Sequence, residues 1–168
     1  MKKILVICLL ILLLAGCGSP KTFETVADSY TEPVHAEAWQ ILVRFPPEAA
    51  LSVLESDDTA GKLYLCDGYA LTVQTLEAGD LSRTLKEVTG FSKEALMVIE
   101  TAQGGLKRYD CAWTAAGEGG EQTCRAAVLD DGNYHYVITV MADYGNAGAL
   151  QEAWKGIFDS FTIINTGT

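Results

Sequence analysis

The sequence predicts an α/β domain built around a mostly antiparallel sheet, and three observations lead to this class. Several short segments alternate apolar and polar residues with the period of two that strands show. Two other segments repeat apolar residues every three or four positions, as amphipathic helices do. Residues 133–142 are apolar on both alternating sides, which indicates a central strand with both faces covered. The two helices are the elements available to cover those faces.

The predicted strands follow one another through clear turn signals. Pro46-Pro47 ends the first strand, because proline lacks the amide donor that a sheet needs. Turns at Gly104-Gly105, Gly117–Gly120 and Asp131-Gly132 connect the later strands as an antiparallel meander. The strands are expected at residues 38–45, 50–55, 62–66, 69–76, 95–101, 106–114, 122–129, 133–142 and 161–164.

Two helices are expected between these strands. Asp80 is a favourable N-cap and Gly90 is a natural residue to end a helix, so the first helix lies between them. The second helix runs from about Ala147 to Phe158. Each helix carries one apolar stripe, formed by Leu81, Leu85 and Val88 in the first and by Ala147, Leu150, Trp154, Ile157 and Phe161 in the second.

The N-terminal residues 1–16 predict a lipoprotein signal peptide. Lys2 and Lys3 supply positive charge, and the 11 residues from Ile4 to Leu14 are all apolar. A transmembrane helix needs about 20 such residues, so this run is too short to span a membrane. The segment Leu14-Ala15-Gly16-Cys17 that follows resembles the lipobox of bacterial lipoproteins.

The resemblance to bacterial lipoproteins implies how the chain is anchored. It implies a diacylglycerol on the sulfur of Cys17, cleavage between Gly16 and Cys17, and a further acyl chain such as palmitate on the new amino group. Two or more acyl chains hold a protein firmly on a bilayer, whereas one chain binds weakly. The expected location is the extracytoplasmic face of the cell membrane. The alternative is an ordinary secretory signal followed by a cysteine that stands there by chance.

The predicted mature chain has three parts. Residues 17–35 comprise the lipidated cysteine and a flexible tether, because they are polar and include two prolines. Residues 36–164 are expected to form a single globular domain, which is the size that one hydrophobic core can support. Residues 165–168 are a short C-terminal tail.

The charge of the chain excludes two classes of partner. The full chain has 12 basic and 22 acidic residues and a net charge of -10. Removal of Lys2 and Lys3 with the signal peptide leaves 10 basic residues (12 − 2), so the net charge becomes -12. Such a domain lacks the basic surface that nucleic-acid binding, or electrostatic attachment to anionic lipid, requires. The expected contact with the membrane is therefore the lipid on Cys17 alone.

The chain has five cysteines. Cys8 leaves with the predicted signal peptide and Cys17 carries the predicted lipid, so three cysteines remain available for chemistry. If the hairpin at the glycine-rich turn pairs residue 115 with residue 120, Cys111 faces Cys124 at a distance compatible with a disulfide. The alternative is that both remain small buried thiols. Cys66 is interpreted as a core thiol.

The sequence contains no recognisable catalytic, metal or cofactor motif, so we expect no enzymatic activity and no cofactor. The strand residue His135 is interpreted as a packed, hydrogen-bonded histidine, and His35 lies in or near the tether. Asp130–Asn133 lacks the spacing and the distal glutamate of a calcium-binding loop and is interpreted as a turn. The three tryptophans are interpreted as core residues, with the lining of a ligand cleft as the alternative. They are Trp39, Trp113 and Trp154.

Three segments carry a resemblance to a known family. They are Ala38-Trp39-Gln40-Ile41 with Pro46, Tyr136-Val137-Ile138-Thr139-Val140, and Ile157-Phe158-Asp159-Ser160-Phe161-Thr162-Ile163. Together with the order of elements, they resemble the PsbP-like proteins over about residues 36–164. The resemblance implies an α/β/α sandwich with helices on both faces, and a role in docking to a partner rather than in catalysis. The chain is also similar to small lipoproteins of Gram-positive anaerobes.

The sequence therefore predicts a membrane-anchored, extracytoplasmic domain that docks a protein partner or binds a small ligand without catalysis. The hairpin tips near residues 57–60, 117–120 and 131–133 are expected to carry this role. The alternative is a substrate-binding or hydrolytic accessory of envelope transport or cell-wall turnover, and a redox protein that uses the hairpin cysteines is a third class. A deep polar pocket around His135 would favour the accessory, whereas a closed core with an exposed apolar patch would favour docking.

Overall fold

The computed structural model describes residues 23–27, 39–52, 61–117 and 119–165. The predicted signal peptide, Cys17 and His35 lie outside these ranges. The described residues form ten strands, two α-helices and one turn of 3₁₀-helix. In chain order these are β1 (Phe23–Ala27), β2 (Trp39–Arg44), β3 (Ala50–Leu51), β4 (Gly61–Cys66), β5 (Tyr69–Glu77), α1 (Leu81–Thr89), the 3₁₀ turn (Lys93–Ala95), β6 (Val98–Gln103), β7 (Leu106–Gly117), β8 (Gly120–Asp130), β9 (Tyr134–Asp143), α2 (Ala147–Ser160) and β10 (Thr162–Asn165).

The strands form two sheets. A seven-stranded sheet has the order β3-β4-β5-β9-β8-β7-β6, and a three-stranded sheet has the order β1-β2-β10. Every strand pairing among the described residues is antiparallel. Strand β9 has three strands on each side, and all residues from Tyr134 to Val140 are buried. The predictions of a mixed α/β, mostly antiparallel fold and of a covered central strand at residues 133–142 are therefore confirmed.

The residues of β9 alternate between two hydrophobic cores. Tyr136 and Ile138 belong to the large core, which also contains residues of α2 and of the three-stranded sheet. Val137 belongs to the small core, which contains Leu85 of α1. The two helices thus contribute to different cores, to which alternate residues of β9 also belong. The small core consists of Leu85, Tyr109, Cys111, Ala126, Val128 and Val137, with Leu76, Leu81, Val88, Leu96, Val98 and Trp113 packed against it.

Helix α1 begins and ends where the sequence predicts. The side chain of Asp80 accepts a hydrogen bond from the amide of Ser82 at 3.1 Å, which satisfies a free donor at the helix start. Gly90 has a left-handed conformation with φ of 78°, and its amide donates to the carbonyl of Lys86. Neither α1 nor α2 has the length and apolar character of a membrane-spanning helix.

The C-terminal end of α2 is held against the seven-stranded sheet by Arg108 of β7. The guanidinium donates to both carboxylate oxygens of Asp110, at 2.8 and 3.0 Å, and to the carbonyl of Phe158 at 3.1 Å. Arg125 of β8 lies 4.2 Å above the ring of Phe158, and Gln103 of β6 donates to the carbonyl of Phe161 at 2.7 Å. A cation near the last carbonyls of a helix also favours the helix dipole.

The structure differs from the sequence prediction at the N-terminal side. Strand β1 lies within residues 17–35, the segment predicted as a tether, and pairs with β2. The prediction missed β1 because five residues among polar neighbours give too short a period-two pattern. Strand β3 spans only two residues, and the rest of the segment predicted for its hairpin includes residues 53–60, which lie outside the described ranges. The predicted C-terminal strand is present as β10, which pairs with β2 in the small sheet.

We expect Arg108→Met to lower the free energy of unfolding by about 2 kcal/mol. The substitution removes both short hydrogen bonds to the largely buried Asp110 carboxylate, which keeps only the ion pair with Arg125 at 3.6 Å, and it leaves a helix-terminal carbonyl without its donor. The matched control is Lys155→Met, which breaks the exposed pair between Lys155 and Asp159 on the outside of α2 and should change stability much less. Chemical unfolding followed by tryptophan fluorescence measures both. Equal losses in the two variants would contradict the role of Arg108.

Candidate docking surface

His135 is a packed, hydrogen-bonded residue, as the sequence predicts. It is 1% exposed, and its Nδ1 atom lies 2.6 Å from the hydroxyl of Thr84 on α1, which is also buried. Its Nε2 atom lies 3.8 Å from a carboxylate oxygen of Asp130. A histidine, a hydroxyl and a carboxylate thus come together, but the histidine and the threonine are closed off from solvent. The arrangement connects α1 to β9 and gives a substrate no access.

The electrostatic state of His135 follows from its burial. Loss of solvent lowers the pKa of the imidazole below its ordinary value of 6.5, and this effect outweighs the opposing influence of Asp130 and Asp131. His135 is therefore neutral at neutral pH. The nearby Asp130 and Asp131 carboxylates favour the imidazolium, but the cost of burying its charge is larger.

The segment Asp130–Asn133 is the turn that the sequence predicts. The Asp130 carboxylate accepts from the amide of Gly132 at 2.7 Å, and the Asp131 carboxylate accepts from the amides of Asn133 and Tyr134 at 2.8 and 2.7 Å. The hydroxyl of Tyr136 also donates to Asp131. Both carboxylates therefore accept hydrogen bonds from backbone amides of the turn itself. Nowhere in the described part of the chain do three histidine, cysteine, aspartate or glutamate side chains gather as a metal site would need.

Of the two interpretations of Cys111 and Cys124, the structure has the second, in which both are buried thiols. The hairpin pairs Gly117 with Gly120 and has a two-residue loop instead of the expected four, so the register shifts by two residues. Cys111 therefore faces Ala126, Cys124 faces Trp113, and both thiols are free. The shift by an even number keeps the two cysteines on the same face, where they are diagonal neighbours and not a direct pair.

The three described thiols are all less acidic than an ordinary cysteine. Burial raises the pKa of Cys111 to about 11 and also raises the pKa of Cys124. Cys66 is half-buried, and burial is again the largest cause of its raised pKa. A thiol of this kind is a poor nucleophile, because the thiolate is the reactive species.

The tryptophans occupy different environments. Trp154 is buried in the large core, where its ring meets that of Tyr69 edge-on at 6.3 Å, so the core interpretation is right for this residue. Trp113 is half-buried against the small core. The side chain of Trp39 lies outside what the structure describes.

One cleft opens beside α2, far along the chain from His135. It encloses about 240 Å³ between the turn after β2 and the outer side of the helix, and it is open to solvent. Arg44, Pro46, Glu48, Glu152 and Gly156 are among its lining residues. His135 does not line it.

Helix α1 covers only part of its face of the seven-stranded sheet. The small core beneath it contains residues of β9, β8 and β7, whereas β3, β4 and most of β5 lie beyond the helix. The cross-strand register places two rows of residues on that part of the face. We call this surface the uncovered flank, and it consists of Ala50, Leu63, Leu65, Ala70 and Thr72.

The register shows that the uncovered flank lies on the same side of the sheet as α1. Ala70 pairs with Met141, Met141 with Cys124, and Cys124 with Trp113, which packs against the small core. Leu65 is 53% exposed, Ala50 is also exposed, and the other three residues are partly exposed. None of the five residues carries a charge. The uncovered flank is therefore a continuous, uncharged and mostly apolar surface on an acidic protein.

Carboxylates border one end of the uncovered flank. Asp67 lies in the turn between β4 and β5, and Asp143 lies at the end of β9, two residues beyond Met141 and on the same side of the sheet. Both are exposed. Glu121 at the start of β8 is exposed as well, but the register places it on the opposite side of the sheet. Glu48, just before β3, is exposed as well. The segments 66–69, 119–122 and 141–146 contain no lysine or arginine. The nearest charge along β4 is that of Lys62, next to Leu63, but Lys62 pairs with Val73 and lies on the opposite side of the sheet.

The structure is similar to solved structures of PsbP-like fold. Cyanobacterial PsbP (CyanoP) from Synechocystis sp. PCC 6803 matches with a TM-score of 0.57 and 12% identity, over 90% of this chain and 99% of CyanoP. The Saccharomyces cerevisiae Ran-binding protein Mog1p matches with a TM-score of 0.51 and 16% identity, over 85% and 96% of the two chains. LpqN of Mycobacterium tuberculosis matches with a TM-score of 0.50 and 14% identity, over 84% and 90%. No protein-family model and no curated protein matches the sequence. The chain therefore has a PsbP-like fold.

We expect the protein to become less stable as the pH is lowered, and we expect His135 to cause part of this loss. The unfolded chain protonates this histidine near the ordinary value of 6.5, but the folded chain resists protonation because its pKa is lowered. The unfolded state therefore binds more protons as pH falls from about 6.5 towards the lowered pKa, and stability is lost over that range. Unfolding midpoints between about pH 7.5 and about pH 5.5 should fall more steeply for the natural chain than for His135→Gln. Parallel pH profiles would contradict this origin.

We also expect the folded thiols to differ in reactivity. Cys66 should be alkylated by iodoacetamide before Cys111 and Cys124, which should react fully only after unfolding, because both are buried. Timed alkylation followed by peptide mass spectrometry measures each site. A disulfide between Cys111 and Cys124 in protein isolated without reductant, or equal rates at all three sites, would overturn this expectation.

Proposed function

We propose that this chain is a lipid-anchored, extracytoplasmic protein that docks a protein partner at the membrane surface and has no catalytic activity of its own. The uncovered flank is the observation that carries the proposal. Soluble domains seldom leave a continuous apolar face exposed unless it meets another molecule. The one histidine of the described core, His135, is meanwhile buried against Thr84 and cannot reach a substrate.

The proposed anchor rests on the sequence Leu14-Ala15-Gly16-Cys17 and on the short apolar run before it. A lipid on Cys17 would hold the acidic domain at the membrane without any attraction between its surface and anionic headgroups. Anchoring also confines the domain and a membrane-bound partner to the same surface. Their effective concentration rises, so even a weak contact through a small flank can be populated.

The fold is consistent with a docking role. The name of Mog1p describes it as Ran-binding, and LpqN is described as involved in cell envelope biogenesis. In the proposal, the present chain shares a rigid three-layer arrangement with these proteins, in which α1 and α2 cover opposite faces of the sheet. We call this arrangement a platform. A platform of this kind presents a surface without changing shape, which suits binding rather than chemistry.

A second candidate is a substrate-binding or hydrolytic accessory of envelope transport or cell-wall turnover. The observation that favours it is the cleft beside α2, where Glu48 and Glu152 both contribute to the lining. Two carboxylates on one cleft are a starting point for acid–base chemistry. The cleft is open to solvent and lies away from His135, so we rank this candidate second.

The anchor is tested with the variant Cys17→Ser. Mature natural protein should carry a mass increase equal to the attached acyl groups and should remain with the membrane fraction. Cys17→Ser should lack the added mass and appear in the soluble fraction or the medium. If Cys17 of the natural protein is found unmodified, the proposed lipid anchor is wrong.

The docking surface is tested in intact cells with a photo-crosslinking amino acid. At position 65, in the uncovered flank, the probe should give a discrete cross-linked product. The matched control is position 101 on β6, which is also exposed but lies at the opposite edge of the sheet and should give none. Absence of a product at position 65, or the same products at both positions, would contradict docking through this surface.

A further inference from the structure

The uncovered flank has the width of one α-helix. Neighbouring strands lie about 4.8 Å apart, so β3, β4 and β5 together span about 10 Å, which matches the diameter of a helix with its side chains. On the same face, the single helix α1 lies over residues of the next three strands, β9, β8 and β7. The face thus has space for two parallel or crossed helices and the described chain supplies one.

The residues of the flank suit the apolar stripe of a helix. Ala50, Leu65 and Ala70 form one row, and Leu63 and Thr72 form the next. Rows two residues apart on a strand are separated by about 6.7 Å. The leucines project further from the sheet than the alanines and the threonine. The side chains of a helix at positions i, i+3, i+4 and i+7 can therefore pack between the leucines and above the smaller residues.

A partner strand is a poor fit to this edge of the sheet. The edge strand beside the flank, β3, comprises only Ala50 and Leu51. Two residues offer few backbone groups for the pairing that an added strand needs. Recognition here must therefore use side chains on the face of the sheet and not the backbone at its edge.

Charge decides between the remaining occupants. The flank is bordered at one end by Asp67 and Asp143, with no basic residue in the segments that contain them, and the nearby Lys62 of β4 lies on the opposite side of the sheet. An anionic membrane would be repelled by this border. A second copy of the chain offers no complementary charge, because it carries the same net charge of -10, and with a two-fold axis along the strands the same carboxylates would meet. A partner with lysine or arginine near its apolar stripe would instead be attracted.

We propose that the uncovered flank binds an amphipathic helix of a protein partner, with basic residues near one end of the apolar stripe of that helix. This inference rests on the proposed docking function and specifies its partner element. The helix lies on β3, β4 and β5 next to α1, and its apolar stripe covers Leu63 and Leu65. Its basic end meets Asp67 at the turn between β4 and β5 and Asp143 at the end of β9.

The experiment measures binding of designed helical peptides to the mature chain, residues 17–168, carrying Cys17→Ser so that no lipid or detergent is present. One peptide has a leucine stripe with lysines beside one end, and a second has the same stripe with glutamates in place of the lysines. The basic peptide should bind at least tenfold more tightly, and added salt should reduce this difference.

Variants of Leu65 and Ile99 show where on the protein the basic peptide binds. Leu65→Asp places a charge in the flank and should weaken binding of the basic peptide at least tenfold. Ile99→Asp introduces the same charge at a similarly exposed position on β6, 58% against 53%, and should leave binding unchanged. Leu65→Gln is a second flank variant without charge, and circular dichroism confirms that all variants are folded. Equal binding by the Leu65→Asp and Ile99→Asp variants, or equal binding of the two peptides, would overturn the proposal.

The other occupants give distinct results. Self-association of the natural chain that Leu65→Asp abolishes, seen by analytical ultracentrifugation, would assign the flank to a second copy. Binding to vesicles of anionic lipid that Leu65→Asp abolishes would assign it to the membrane. Either result would overturn the helix proposal. If cross-linking from position 65 succeeds in cells while the peptides fail, docking stands and the partner element is not a basic helix.

Discussion

The fold depends on the burial of β9 on both of its faces. Tyr136 and Ile138 point to one side and Val137 to the other, and a large apolar side chain gains about 1.5–3 kcal/mol from full burial. Both faces of the sheet must therefore be covered at its centre. The sheet has seven strands and is about 29 Å wide at its strand spacing, whereas a helix is about 10 Å wide. Helix α1 has nine residues and covers the centre of its face, and no other helix of the described residues lies over β3 and β4 on that face.

Polar groups fix where the two helices lie on the sheet. Hydrophobic packing has little directional preference, but the hydrogen bond between Thr84 and His135 holds α1 at one place over β9. Arg108 holds the end of α2 through Asp110 and the carbonyl of Phe158. Both contacts are directional, and because the first is buried and the second partly buried, they oppose movement of the helices along the sheet. The extent of the uncovered flank is thus determined by the position of α1.

Local features could be predicted from the sequence, whereas long-range pairing could not. Asp80 and Gly90 marked the ends of α1 because capping depends on neighbouring residues, and the two-sided apolar pattern of residues 133–142 marked the central strand. The register around Gly117–Gly120 was wrong by two residues, because an even shift keeps every side chain on its face and leaves no trace in the pattern. The uncovered flank was missed because it depends on which strands lie under α1. Its only sequence signal was that the alternate residues 63 and 65, before the turn, and 70 and 72, after it, are all uncharged.

The composition of the flank explains how it can remain exposed before a partner arrives. Two leucines stand among alanine and threonine, so the apolar surface is modest and less prone to aggregation than a row of large residues. The adjacent edge strand is two residues long, which limits pairing with other chains. The acidic border adds repulsion between copies. These properties favour a surface that is stable alone and binds reversibly, since a permanent interface is usually larger and more hydrophobic. A reversible contact would also need the local concentration that a shared membrane provides, which connects the chemistry of the flank to the proposed lipid on Cys17.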